Sequence, residues 1–133
     1  MSGGFRTFHR PRVWLGLWGL MIAAVVVGSL LPASSVPSLP FPGADKLQHL
    51  LGYAVLSGYA AMLFAERRAL GWAAMGLLLL GVAIEGAQAV LTASRLADPM
   101  DVLANLLGVV LGLGLGATPA AGLLQCIDRR FAA

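Results

Sequence analysis

The sequence predicts an all-α membrane protein, a compact bundle of four transmembrane helices with both ends in the cytoplasm. Three observations predict it: 59% of the 133 residues are hydrophobic, only 11% are charged, and apolar stretches long enough to cross a bilayer alternate with short polar segments. The mean hydropathy of +0.84 exceeds what a water-covered globular surface tolerates. Little chain is left outside the spans, so we predict a single membrane domain over residues 1–133.

The first span is predicted over about residues 13–31, after a basic start. This stretch carries no charge and reaches about 28 Å as a helix, enough to cross the hydrocarbon. It is longer than the roughly 7–15 apolar residues of a signal peptide, so we expect a retained anchor. Residues 32–44 are rich in proline, which interrupts helices. They predict an extended loop on the extracytoplasmic side.

Three further spans are predicted over about residues 45–64, 70–91 and 101–124. Asp45 suits the start of the second helix, because a carboxylate is favoured at the positive end of the helix dipole. The fourth follows Pro99, which is tolerated in a first helical turn. We expect this fourth span to continue to residue 124, with a bend at Pro119.

Arginines set the predicted orientation, because cytoplasmic flanks accumulate Lys and Arg. Lys46 and Arg95 fall on one side of the predicted membrane, and all other basic residues fall on the opposite side. These are Arg6, Arg10, Arg12, Arg67, Arg68, Arg129 and Arg130. We therefore predict both termini in the cytoplasm. The basic residues flank spans instead of forming one face, so the formal charge of +3 does not indicate a nucleic-acid partner.

Polar side chains gather at the outer ends of the second, third and fourth predicted helices. Spacing places Asp45, Gln48 and His49 on one face of the second helix, and Asp101 and Asn105 on one face of the fourth. We predict an outward-facing pocket with ten ligand-binding residues. They are Asp45, Lys46, Gln48, His49, Glu85, Gln88, Arg95, Asp98, Asp101 and Asn105.

Glu85 and His49 are the candidates for proton chemistry. A carboxylate about 9 Å inside a span costs a few kcal/mol unless it is paired, hydrated or protonated. Glu85 could pair with His49, Lys46 or Arg95 and lock the bundle, or it could serve a function. His49 could be a general acid or base, a metal ligand, or a hydrogen-bond partner of Glu85. A metal site built from His49, Glu85, Asp98 or Asp101 stays open, but the chain lacks a short motif with dedicated ligand spacing, so we predict no metal and no cofactor.

The two cations of the cluster, Arg95 and Lys46, have competing interpretations. Arg95 and Lys46 are suited to hold a carboxylate or phosphate, and pairing with neighbouring Asp98 and Asp45 is an equal alternative. Three glycines of the fourth predicted helix recur every four residues, a spacing that permits close helix approach. They are Gly108, Gly112 and Gly116.

The order of these polar residues resembles the VanZ-like family of small polytopic bacterial membrane proteins. The resemblance covers about residues 45–116. It is carried by Asp45, Lys46, His49, Tyr53, Glu85, Gln88, Arg95, Asp98, Asp101, Asn105 and Gly108. It implies a place in the bacterial inner membrane and a link with low-level resistance to the glycopeptide teicoplanin, which acts on lipid-linked cell-wall precursors outside the membrane.

The leading functional hypothesis is an outward-facing pocket that binds an anionic envelope ligand, such as a phospholipid or polyprenyl-phosphate head group. Arg95 and Lys46 would contact the anion, while Glu85 and His49 would orient it or handle a proton. Two alternatives stay open. One is an enzyme acting on such a lipid by acid/base chemistry, and the other is a structural or partner-binding protein in which the cluster only stabilises the contacts between helices. Membrane lipids are the expected partners, and a homo-oligomer stays open.

Overall fold

The computed structural model describes residues 4–31, 35, 40–91 and 98–132. In this part of the chain, the α-helices are α1 (Pro11–Leu30), α2 (Ala44–Leu63), α3 (Arg67–Leu91), α4 (Pro99–Gly114) and α5 (Leu123–Ala132), with two 3-10 segments, Leu115–Ala117 and Pro119–Gly122. The same residues contain no strand, only an isolated bridge between Phe5 and Phe64. The predicted all-α fold is confirmed.

Local sequence explains where the helices begin. Pro11 and Pro99 occupy the first turns of α1 and α4, where a missing N–H removes no helical hydrogen bond. Gly43 precedes α2 with a φ of 83°, a left-handed conformation that glycine adopts without strain. Asp98 caps α4, and its Oδ1 accepts a hydrogen bond of 2.9 Å from the Met100 N–H.

The fourth helix is shorter than predicted. Sequence spacing predicted one span to residue 124, but α4 ends at Gly114 and the chain passes through the two 3-10 segments before α5 begins. Thr118 between them is extended, with φ −112° and ψ 161°. Pro119 lacks an N–H and disfavours a helical residue before it, so the helix breaks there instead of bending. The apolar stretch long enough to cross a membrane runs from Pro99 to Ala117.

Within the described residues, three helical stretches are long and apolar enough to cross a membrane, namely Pro11–Leu30, Arg67–Leu91 and Pro99–Ala117. The second predicted span, now α2, is not among them, because its first two turns carry Asp45, Lys46, Gln48 and His49. α2 packs against α1, α3, α4 and α5. A central helix turns its polar side chains toward protein and needs less hydropathy than one surrounded by lipid.

The outward faces of the helices carry large apolar side chains. Among the most exposed are Leu20 of α1, Leu79 of α3 and Leu111 of α4, while the core between helices contains Tyr53, Leu56, Leu77 and Val109. A soluble monomer rarely leaves such apolar faces in water. The fold is therefore compatible with a membrane protein.

Two glycines of α4 bring its backbone onto α2. A Cβ at Gly112 would overlap the Ser57 Oγ and the Ala54 carbonyl oxygen, and a Cβ at Gly108 would overlap the Leu50 carbonyl oxygen. The predicted packing role is confirmed at these two positions, and the partner helix belongs to the same chain. A Cβ at Gly116 meets only the Ala61 Cβ, at 3.5 Å, so the third glycine is not required for close approach.

Asp128 of α5 ties the end of the chain to the start of α1. Its side chain, 1% exposed, accepts hydrogen bonds from the backbone N–H of His9 and of Arg10 and from the Trp14 indole at 2.8 Å. Arg10, the N-cap residue of α1, provides no side-chain cap. Asp128 therefore satisfies the two backbone N–H groups that immediately precede α1 and holds the Trp14 side chain of its first turn.

Candidate functional site

The polar residues of α2, α3 and α4 meet at one end of the bundle. On the exposed side of this cluster, Lys46 links α2 to the start of α4. Its Nζ lies 2.7 Å from Asp98 Oδ2, 3.1 Å from Asp45 Oδ2 and 3.4 Å from Asp101 Oδ1. The hydrogen bond from Lys46 holds the pKa of Asp98 below its ordinary value. The predicted pairing of Lys46 with Asp45 is confirmed, and Asp98 is its closer partner.

His49 lies one turn further into α2 and faces both other helices. Its Nδ1 is 3.0 Å from Asn105 Oδ1. Its Nε2 is 3.7 Å from Asp101 Oδ2 and 4.0 Å from Glu85 Oε1. The carbonyl oxygen of Asn105 can only accept, so this contact is a hydrogen bond when Nδ1 carries a proton, and Nε2 faces the two carboxylates.

Glu85 is buried, with 4% of its surface exposed. Its Oε2 accepts a hydrogen bond of 3.2 Å from the backbone N–H of Asp98, which joins α3 to the start of α4. The predicted partner His49 lies beyond hydrogen-bond distance. Among the described residues, Glu85 Oε1 has no hydrogen-bond partner, and neither have the Tyr53 hydroxyl and Asn105 Nδ2.

The chain matches no family model, no curated protein and no solved structure. The resemblance to VanZ-like proteins therefore rests on the residues of this sequence.

An open cavity adjoins this cluster between α1 and α2. It has a volume of about 170 Å³. Its lining consists of Val25, Gly28, Ser29, Asp45, Gln48, His49, Gly52 and Tyr53. The cavity gives a small polar group a route to His49 from the α1 side.

The two glutamines have different positions. Gln88 Nε2 donates a hydrogen bond of 2.8 Å to the Ser29 carbonyl oxygen and so joins α3 to α1. Gln48 lines the cavity. Arg95, the second cation of the prediction, falls in residues 92–97 and lies outside the described part of the chain.

The structure thus brings together seven of the ten predicted residues in one contact network across α2, α3 and the start of α4, six of them joined by ion pairs or by the Glu85 hydrogen bond. These six are Asp45, Lys46, His49, Glu85, Asp98 and Asp101. Asn105 joins them through His49. Carboxylates outnumber the one ammonium of this network, so its described residues form an acidic site.

Sequence reasoning missed two members of the site. Tyr53 was part of the resemblance but not of the predicted pocket, although it follows His49 by one turn on the same face of α2. Ser29 was not singled out. It is the one hydroxyl residue in the predicted span 13–31. A single polar residue in an apolar span could have indicated that this position faces protein.

Proposed function

We propose that this chain is a VanZ-like protein of the bacterial inner membrane that binds the anionic head group of an envelope lipid at the cluster of α2, α3 and α4. The observation that carries the proposal is the convergence of buried ionisable side chains from three helices at one end of the bundle, beside an open cavity. Such residues are costly in lipid and mark functional sites by default. The family's link with glycopeptide resistance stays an expectation.

The charge balance defines what an anionic ligand needs at this site. Lys46 already contacts three carboxylates, so it is not available to an anion unless those contacts loosen. Arg95, three residues before Asp98 in the sequence, is the second cation that the proposal uses. A guanidinium binds phosphate through two parallel hydrogen bonds, which a point charge cannot reproduce.

Melting experiments in detergent test head-group binding. We expect a short polyprenyl phosphate to raise the melting temperature of the wild type by roughly 5 °C or more at saturating concentration, and the uncharged polyprenol to leave it unchanged. Arg95→Ala should abolish the shift. Arg68→Ala, which removes an exposed arginine at the opposite end of α3, should retain it. Equal shifts in both variants, or none in the wild type, would refute the proposed ligand.

A structural role for the cluster is the second candidate. It is favoured by the contacts of Lys46 with two residues at the start of α4, Asp98 and Asp101, and by the Glu85 hydrogen bond to the Asp98 backbone. In that case, Glu85→Gln lowers the melting temperature, and no lipid head group shifts the wild type. The enzymatic alternative stays open as acid/base chemistry by His49 and a neighbouring carboxylate, although the sequence contains no nucleophile motif.

The proposal includes four spans, with α2 as the central one, and both termini in the cytoplasm. Cys126 of α5 is exposed and is the single cysteine of the chain, so it reports the location of the C-terminus. We expect a membrane-impermeant thiol reagent to label Cys126 only after the cells are permeabilised. In a Cys126→Ser, Ser35→Cys variant, the new thiol should react in intact cells. The reverse labelling pattern would show that the orientation in the membrane is opposite to the proposed one.

A further inference from the structure

Three side chains that commonly bind metals converge from three different helices. His49 of α2, Glu85 of α3 and Asp101 of α4 each offer one donor atom, and these atoms all lie within 4.8 Å of one another. His49 Nε2 is 3.7 Å from Asp101 Oδ2 and 4.0 Å from Glu85 Oε1. Two ligands bound at about 2.0–2.2 Å from one zinc ion are separated by roughly 3–4 Å, so both spacings suit a shared ion.

Burial separates this group from an ordinary acidic surface patch. Glu85 is 4% and Asp101 is 7% exposed, and a buried carboxylate is costly unless its charge is compensated. Glu85 Oε1, the oxygen that faces His49, has no hydrogen-bond partner among the described residues. An unpartnered buried carboxylate oxygen directed at an imidazole nitrogen requires a proton or a cation between the two groups.

The neighbouring acidic group provides an internal comparison. Asp45, Asp98 and Asp101 also lie close enough to share a cation, and the ammonium of Lys46 is already in contact with all three. Lys46 does not reach Glu85 within ion-pair distance in the described structure. All three carboxylates of this group thus have a built-in cation in contact with them, whereas Glu85 and the Oδ2 atom of Asp101 have no Lys or Arg within ion-pair distance among the described residues.

The orientation of His49 suits a metal ligand. Asn105 Oδ1 lies 3.0 Å from Nδ1, and Nε2 faces the two carboxylates. Fixing one imidazole nitrogen by a second group, so that the other can bind metal, is the usual arrangement around protein metal sites. Asn105 is 2% exposed, and its amide packs against Gly81, where a Cβ would lie 2.8 Å from Nδ2. The absence of a side chain at Gly81 therefore helps to hold Asn105 in place.

We propose that His49, Glu85 and Asp101 bind one divalent transition-metal ion of the zinc type, with Asn105 as the positioning residue for His49. Zinc and manganese accept mixed nitrogen and oxygen ligands such as one imidazole and two carboxylates. Calcium and magnesium prefer sites built from oxygen ligands alone. Three protein ligands leave at least one coordination position open. The cavity beside His49 gives that position access to a small ligand.

The metal site goes beyond the proposed function and does not depend on it. If both are correct, the ion supplies the positive charge that an anionic head group needs in an acidic cluster, and a phosphate oxygen occupies the open position. This role of the ion in head-group binding rests on the proposed function. Metal binding is therefore tested with the metal alone, in the absence of lipid, so that failure of one proposal is distinguishable from failure of the other.

The experiment measures zinc binding by the purified full chain in detergent. The affinity tag is removed and Cys126 is replaced by serine, so that neither contributes ligands. After treatment with a chelator, equilibrium dialysis against Zn²⁺ and elemental analysis give the stoichiometry and the dissociation constant. We expect about one zinc per chain, and at least about tenfold weaker binding in Glu85→Gln and in His49→Ala.

Asp128→Asn is the matched control, because it also converts a buried carboxylate to an amide but lies at the opposite end of the bundle. It should retain zinc binding even though it lowers stability. Three results would overturn the proposal: a folded wild type that binds no zinc, equal loss of zinc in Asp128→Asn and Glu85→Gln, or binding of Mg²⁺ in preference to Zn²⁺. The first result would favour a hydrogen-bonded His49 that holds a proton between the carboxylates.

Discussion

Replacing Gly112 by alanine is expected to lower the free energy of unfolding by about 3 kcal/mol. The new Cβ would overlap the Ser57 Oγ and the Ala54 carbonyl oxygen, and it would lie 2.6 Å from the Gly58 backbone nitrogen. Two of these three atoms belong to the backbone of α2, so no side-chain rotation can relieve the overlap. The two helices must separate, which disrupts the contact that holds α4 to the central helix. Thermal unfolding in detergent measures the loss.

Gly116→Ala is the matched control, since it makes the same change one turn later in the chain. Its Cβ would meet only the Ala61 Cβ at 3.5 Å, an ordinary contact, so we expect a change within about 0.5 kcal/mol. Gly108→Ala should resemble Gly112→Ala, because its Cβ would overlap the Leu50 carbonyl oxygen. If all three variants melt alike, α4 does not pack on α2 as described.

Asp128→Asn is expected to lower the melting temperature at neutral pH by roughly 5 °C or more. The buried carboxylate accepts from two backbone N–H groups and the Trp14 indole, and charge-assisted hydrogen bonds are about twice as strong as neutral ones. An amide keeps the shape but offers a single acceptor oxygen. At least one donor at the start of α1 then loses its partner.

The effect of this substitution should depend on pH in a defined direction. Burial by itself raises the pKa of the Asp128 carboxyl, but the hydrogen bonds from Trp14, His9 and Arg10 outweigh burial and hold the pKa below its ordinary 3.8. A folded-state pKa below the unfolded one means that the charged form stabilises the fold at neutral pH. This stabilisation is lost as the pH falls through the folded-state pKa, below 3.8.

Melting curves of wild type and Asp128→Asn between pH 7 and pH 3 measure this dependence. The difference between the two melting temperatures should narrow as the pH falls. Glu66→Gln is the control, because Glu66 is exposed at the same end of the bundle and should show little difference at any pH. A gap between wild type and Asp128→Asn that stays constant down to pH 3 would show that the charge of Asp128 is not what stabilises α1.

Much of the site could be predicted because helical spacing is a local property. Asp45, Gln48 and His49 are spaced to share one face of one helix, and Asp101 and Asn105 are one turn apart on another, so their shared faces follow from sequence position. Individual partners could not be predicted in this way. The contact of Lys46 with Asp98, the hydrogen bond of Glu85 to the Asp98 backbone and the approach of His49 to Asn105 depend on how three helices are rotated against each other.

The amino-acid sequence by itself determined the all-α fold, the bounds of the first three helices to within three residues and the end of the bundle at which polar residues gather, because hydropathy, proline positions and helical period are readable along one segment. Only the tertiary structure decided that α2 is the central helix, that α4 breaks before Pro119 and that Asp128 holds the segment just before α1. It alone also brought His49, Glu85 and Asp101 within ligand distance. These features depend on contacts between residues far apart in the chain, and no local pattern encodes the distance between side chains on different helices.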